Sequence, residues 1–163
     1  VCLTGLATAT PVAAQDAADA ARRFGSWELI CPAATEGSTS VPCRLSQHLA
    51  VKDDGRTVFA ITILPGEKKN ELVGVVSLPL GGYIAPGIEM RIDGGKPYKL
   101  LVETCNNTGC HAGFPISARL RKELGGKQAA FRIWTAKARP ADITVSLDGL
   151  PKGLAAMQSQ SSR

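Results

Sequence analysis

The chain is predicted to be all-β: an antiparallel β-sandwich with one short helix mid-chain and a short C-terminal helix. Three features predict it. About nine short segments alternate apolar with polar residues or run continuously apolar, turn signals of Gly, Pro, Asn and Asp separate them at regular spacing, and little of the chain has helical period. The centre is the stretch 72–93, where the runs Leu72–Leu78 and 84–92 are punctuated by Pro79, Gly81, Gly82, Pro86 and Gly87. It holds no His, no Cys and almost no charge, so it is expected to be buried core.

The elements follow in order. Trp27, Leu29 and Cys31 alternate with Glu28 and Ile30, a strand with Trp27 facing inward. Cys43, Leu45, Leu49 and Val51 share one strand face, and Arg44, Ser46 and His48 share the other. Asp53-Asp54-Gly55-Arg56 marks a hairpin turn, and the return strand over 57–64 carries Phe59, Ile61 and Ile63 on one side. Asp93-Gly94-Gly95 turns a second hairpin, from 88–92 into 98–103. After the polar loop 105–110, Cys110, Ala112 and Phe114 alternate inward. Ile116, Leu120 and Leu124 then mark a helix, with Ser117 as its cap and Gly125 as its stop. Ala129, Phe131 and Ile133 make one further strand, Ile143, Val145 and Leu147 another, and 150–157 a short terminal helix.

With 163 residues, the chain can form one domain with a real core. No apolar run is long enough for a transmembrane helix. Residues 1–14, VCLTGLATATPVAA, carry no charge and end in small residues before Gln15-Asp16, the pattern of a signal-peptidase site. They read as the remnant of a secretion signal peptide cleaved near Ala14, which places the mature protein in the periplasm or outside the cell. Cys2 then either leaves with that segment or serves as a lipid-attachment cysteine. A flexible arm is expected over 15–23, a single domain over 24–157 and a disordered tail over 158–163.

Beyond Cys2 the cysteines are Cys31, Cys43, Cys105 and Cys110. An even number in an exported chain reads as two disulfides, and four cysteines allow three connectivities. The local pairs, Cys31–Cys43 and Cys105–Cys110, are the expected ones because each closes a short loop. The alternatives fit less well. Haem attachment needs two residues between the cysteines where Cys105 and Cys110 have four, and the cysteine spacings match no common zinc knuckle. No metal and no cofactor is expected.

Nor does a catalytic set emerge. There is no G-x-S-x-G elbow, no Walker loop and no G-x-G-x-x-G, and Asp53-Asp54-Gly55 lacks the spaced ligands of a calcium loop. Ser46 and His48 are neighbours on one strand face, and His111 flanks a cysteine loop. The chain carries a net charge of +5, concentrated in a segment that holds Arg119, Arg121, Lys122, Lys127, Arg132, Lys137 and Arg139 against one acid, Glu123. The first five are the candidate anion-binding residues; the plain alternative is a solvated helix face. Without interleaved aromatics, and in an exported chain, nucleic acid is not an expected partner.

Several short motifs together carry a resemblance. They are Phe24-Gly25-Ser26-Trp27 with Cys31, Cys43-Arg44-Leu45-Ser46-Gln47 and Val76-Ser77-Leu78-Pro79-Leu80-Gly81. After them come Pro86-Gly87-Ile88, Ile92-Asp93-Gly94-Gly95, Cys105 with Gly109-Cys110, and Val145-Ser146-Leu147. In this order, from Phe24 to about Met157, the chain resembles the invasion-associated locus B family of alphaproteobacterial exported proteins. The resemblance implies a periplasmic or envelope-associated β-sandwich linked with bacterial entry into host cells. It transfers the four cysteines and no catalytic residue.

The expectation is therefore a non-enzymatic interaction protein whose partner is a protein or an anionic envelope or host surface. Two other classes remain in view. One is a small-ligand carrier or inhibitor with a pocket between the sheets and Tyr83 or Trp134 at its mouth. The other is an enzyme built on His48 or His111.

Overall fold

Two antiparallel sheets and two helices make up the computed structural model, which describes residues 20–32 and 41–160. The larger sheet opens as a meander of β1 (Ala20–Phe24), β2 (Trp27–Cys31), β3 (Arg44–Ala50), β4 (Thr57–Pro65) and β5 (Leu72–Leu78). It is completed by β9 (Gly109–Pro115) and then β8 (Thr104–Asn106), in the order β1-β2-β3-β4-β5-β9-β8. The smaller sheet contains β6 (Ile88–Ile92), β7 (Tyr98–Leu100), β10 (Gln128–Ala136) and β11 (Arg139–Ser146), in the order β11-β10-β6-β7. The chain thus leaves the larger sheet after β5, makes a hairpin in the smaller one, returns for β8 and β9, and crosses again through α1 (Ala118–Glu123).

The core forms where the inward residues of both sheets meet. Trp27, Leu29, Phe59, Ile61, Ile63 and Val76 come from one layer, and Ile88, Met90, Phe131 and Val145 from the other; all are buried. Phe59 on β4 and Phe131 on β10 pack across the gap with ring centroids 4.9 Å apart and planes tilted by 49°. Trp27 ties the layers a second time, its indole N–H donating to the Ser146 carbonyl at 3.0 Å. Seven strands are wider than four, and the strands β1 to β3 are covered instead by the terminal helix α2 (Leu150–Gln160). The helix buries Leu150, Leu154 and Met157 there. Gly153 lets the helix come close to β3: a Cβ on it would stand 2.7 Å from a Leu45 methyl, which would have to shift.

The disulfides are local. Cys31, ending β2, is bonded to Cys43, just ahead of β3. Cys105 and Cys110 are directly opposite each other in the β8–β9 ladder and are bonded across it. The helix predicted after Ile116 is α1, capped where expected: Ser117 Oγ accepts from the Leu120 amide at 3.2 Å.

Four expectations need correction. The arm predicted over 15–23 is not free throughout, because Ala20–Phe24 pairs along its length with β2; its residues 15–19, the signal-peptide remnant over 1–14 and Cys2 lie outside the described residues. Of the tail predicted over 158–163, residues 158–160 are the end of α2, and 161–163 lie outside the described residues. The second apolar run over 84–92 is a strand only from Ile88, because Pro86 has no amide hydrogen to give and Gly87 takes φ +76°. Ser46, assigned to a solvent face, is buried and hydrogen-bonded to Thr62 at 3.0 Å.

Because Phe131 has no exposed surface and fills the gap between the layers, Phe131→Ala should lower unfolding free energy by about 3–5 kcal/mol in urea titration. Replacing both Cys31 and Cys43 by Ser should cost about 3 kcal/mol, and the shorter Cys105–Cys110 loop about 2, by the same titration.

Candidate functional site

The loop 79–87, which carries the chain from β5 to β6, forms an apolar tip at one end of the sandwich. Its backbone is held. The Tyr83 amide donates to the Trp134 carbonyl at 2.9 Å, and the Gly87 amide closes a turn on the Ile84 carbonyl at 2.9 Å. Gly87 lies so close to β7 that a Cβ would stand 2.6 Å from the Leu100 carbonyl oxygen, so the loop's exit admits no larger residue. With the backbone spent on these contacts, the apolar side chains point away from the core. Leu80 is 57% exposed, Ile84 43%, Tyr83 38% and the neighbouring Leu101 66%. Beneath them a groove of about 230 Å³ is lined by Leu78, Val102, Ile133 and Trp134 together with the loop itself.

Part of the stretch that reads as core, 79–85, is therefore surface. Composition could not distinguish the two, since Leu80, Tyr83 and Ile84 are apolar whether covered or not. The clustered Pro and Gly residues were the available signal that this part was not strand.

Neither histidine sits in a catalytic arrangement. His48 is exposed on β3. His111 faces Ser77 across the β5–β9 ladder, with Nδ1 2.9 Å from the Ser77 Oγ and Nε2 3.3 Å from the Thr108 hydroxyl. The group on its far nitrogen is thus a hydroxyl where a triad has a carboxylate, and Ser77 lies within a strand whose neighbours are paired on both sides. Among the described residues no three His, Cys, Asp or Glu side chains converge as metal ligands, and the four cysteines there are bonded to one another.

The family model for invasion associated locus B protein matches residues 27–158, from the core tryptophan of β2 into α2. The chain belongs to the invasion associated locus B family. It is similar in fold to the crystal structure of invasion associated protein B from Bartonella henselae, with a TM-score of 0.75 and 18% identity over 88% of this chain and 99% of that one. At that identity the likeness concerns the fold. No curated protein matches the chain.

In this family member the five candidate anion-binding residues are separated by the fold and mostly engaged. Arg132 on β10 makes two 2.8 Å hydrogen bonds to Asp142 on β11, and that contact holds the Asp142 carboxyl below its usual range. Arg119 donates to Glu123 at 2.9 Å, one turn along α1, and Arg121 donates to Gln158 of α2 at 2.9 Å. Of the five, only Lys122 and Lys127 have side chains without a hydrogen bond or ion pair, and the Lys127 backbone amide donates to the Asp93 carboxylate at 3.0 and 3.2 Å. Glu123 also accepts from the Tyr98 hydroxyl at 2.7 Å, which fastens α1 to β7. The Arg119 hydrogen bond, and then that of Tyr98, pull the Glu123 carboxyl below the ordinary glutamate range, while the same bond raises the Tyr98 phenol.

The sign of the resulting pH dependence follows. A carboxyl whose pKa is depressed by folding stabilises the native state above its unfolded pKa, and that contribution is lost as pH falls through the folded value. Thermal unfolding followed from neutral pH downward should therefore show Glu123→Gln melting below the wild type at neutral pH. The two curves should converge below the ordinary glutamate range.

Proposed function

We propose that this chain is an exported, non-enzymatic interaction protein of the cell envelope, acting as its family name suggests in contact between the bacterium and a host surface. Its contact surface is the apolar tip. The observation that carries this reading is where the exposed large hydrophobic residues lie. Of the five among the described residues, Leu80, Tyr83, Ile84 and Leu101 are at this one end, and only Val41 is elsewhere. Apolar patches concentrated in this way mark interaction sites, whereas scattered ones do not.

Two disulfides support export, because such bonds persist in oxidising compartments. The Ser77–His111 contact has the form of an ordinary cross-strand pair. The carrier reading gains something from Tyr83 and Trp134, which do line the groove. Yet the groove's 230 Å³ falls short of the roughly 300–1,000 Å³ of small-molecule sites. That volume suits contact with a surface better than enclosure of a ligand.

A photo-crosslinking amino acid placed at position 83 in living cells should give an adduct. The same residue at position 144, exposed on the outer side of β11, should give none. Equal labelling at both positions, or no adduct at 83, would contradict the assignment.

A further inference from the structure

We propose that the tip docks on an anionic lipid bilayer. Leu80, Tyr83, Ile84 and Leu101 reach into the acyl boundary, while Lys99, Lys137 and Arg139 lie against the headgroup phosphates. This rests on the interaction-protein reading and names the chemistry of the partner.

The charge around the tip carries the choice. Four arginines elsewhere on the molecule are answered by carboxylates: Arg91 by Glu89, Arg119 by Glu123, Arg132 by Asp142 and Arg56 by Asp54. Around the groove the cations stand without such partners. Lys99 brings its Cε to 3.5 Å from where a Cβ on groove-lining Gly87 would be. Lys137 and Arg139 belong to the β10–β11 hairpin, directly after groove-lining Trp134 and Thr135, and the Thr135 hydroxyl donates to the Arg139 carbonyl at 3.3 Å. All three are exposed, and no ion pair holds any of them. The acid next in sequence to groove-lining Val102 is Glu103, whose carboxylate lies over Gly113 of β9.

An apolar protrusion flanked by unpaired cations is the chemistry of the membrane–water boundary. Aliphatic side chains enter the acyl region, Tyr and Trp settle at headgroup level, and Lys and Arg attract anionic lipid. A protein partner fits less well. Protein interfaces are depleted in lysine, whereas two of the three cations here are lysines. The apolar groups also protrude more than they enclose.

The test uses the purified full chain and sedimentation with vesicles of phosphatidylcholine, with or without phosphatidylglycerol. Binding is expected to the anionic vesicles and to weaken with salt. It should come with a blue shift in emission that Trp134→Phe removes, since Trp27 is already fully buried. Leu80→Asp with Ile84→Asp, both in an exposed loop, should abolish binding without changing the melting temperature. Lys99→Glu with Lys137→Glu should weaken it about tenfold or more at low salt. Arg119→Glu with Lys122→Glu on α1 should leave it unchanged. Any of three results would overturn the lipid assignment: no binding to anionic vesicles, binding insensitive to the Leu80 and Ile84 changes, or a stable dimer in solution that buries the tip. An adduct to a protein at position 83 with no vesicle binding would also remove the lipid and leave the interaction reading standing. Absence of every adduct at 83 would remove both.

Discussion

The contact between Phe59 and Phe131 is the constraint from which the rest of the architecture follows. Each ring comes from a different sheet and neither has exposed surface, so the pair sets the separation of the layers at the centre of the core. Trp27 repeats the link toward the β2 side through its bond to the Ser146 carbonyl. With the layers held at these points, the four-stranded sheet covers only part of its seven-stranded neighbour. A helix carrying Leu150, Leu154 and Met157 has to cover what remains. The same arrangement requires the chain to cross between layers several times, and the crossing after β5 is the one left apolar and uncovered.

Much of this was legible from local pattern. The alternation of Trp27 with Leu29, and of Phe59 with Ile61 and Ile63, reports a buried strand face directly. Ser117 within the row Ile116, Leu120 and Leu124 reports a capped helix, and Asp93-Gly94-Gly95 a hairpin, because the chemistry that makes each feature lies within a few residues. β1 was not legible for a complementary reason. Ala20–Phe24 reads Ala-Ala-Arg-Arg-Phe, with no apolar alternation, and it is a strand because β2 offers its backbone along an edge. Edge pairing of that kind uses main-chain groups, which every residue has.

Reading charge along the chain failed more instructively. The segment 119–139 holds one acid, so its arginines look unpaired in sequence. In the fold, β11 returns along β10 and sets Asp142 opposite Arg132. A hairpin counted through its turn at 137–138 would have paired them, which makes this a question of register rather than composition. The candidate site was hidden by the opposite ambiguity. Leu80, Tyr83 and Ile84 are what a core residue looks like, and only the position of a loop relative to both sheets reveals that nothing covers them.

In the proposed reading binding surface and scaffold are separate: disulfides, aromatic packing and α2 hold the sandwich, and one crossing loop with the adjoining β10–β11 hairpin is the surface proposed to meet the partner. Amide hydrogen exchange measured with and without anionic vesicles tests that division most directly. Slowed exchange confined to residues 79–84, 101–103 and 133–138 is the predicted result. Slowing centred on α1 and residues 127–128, or spread evenly over both sheets, would contradict it.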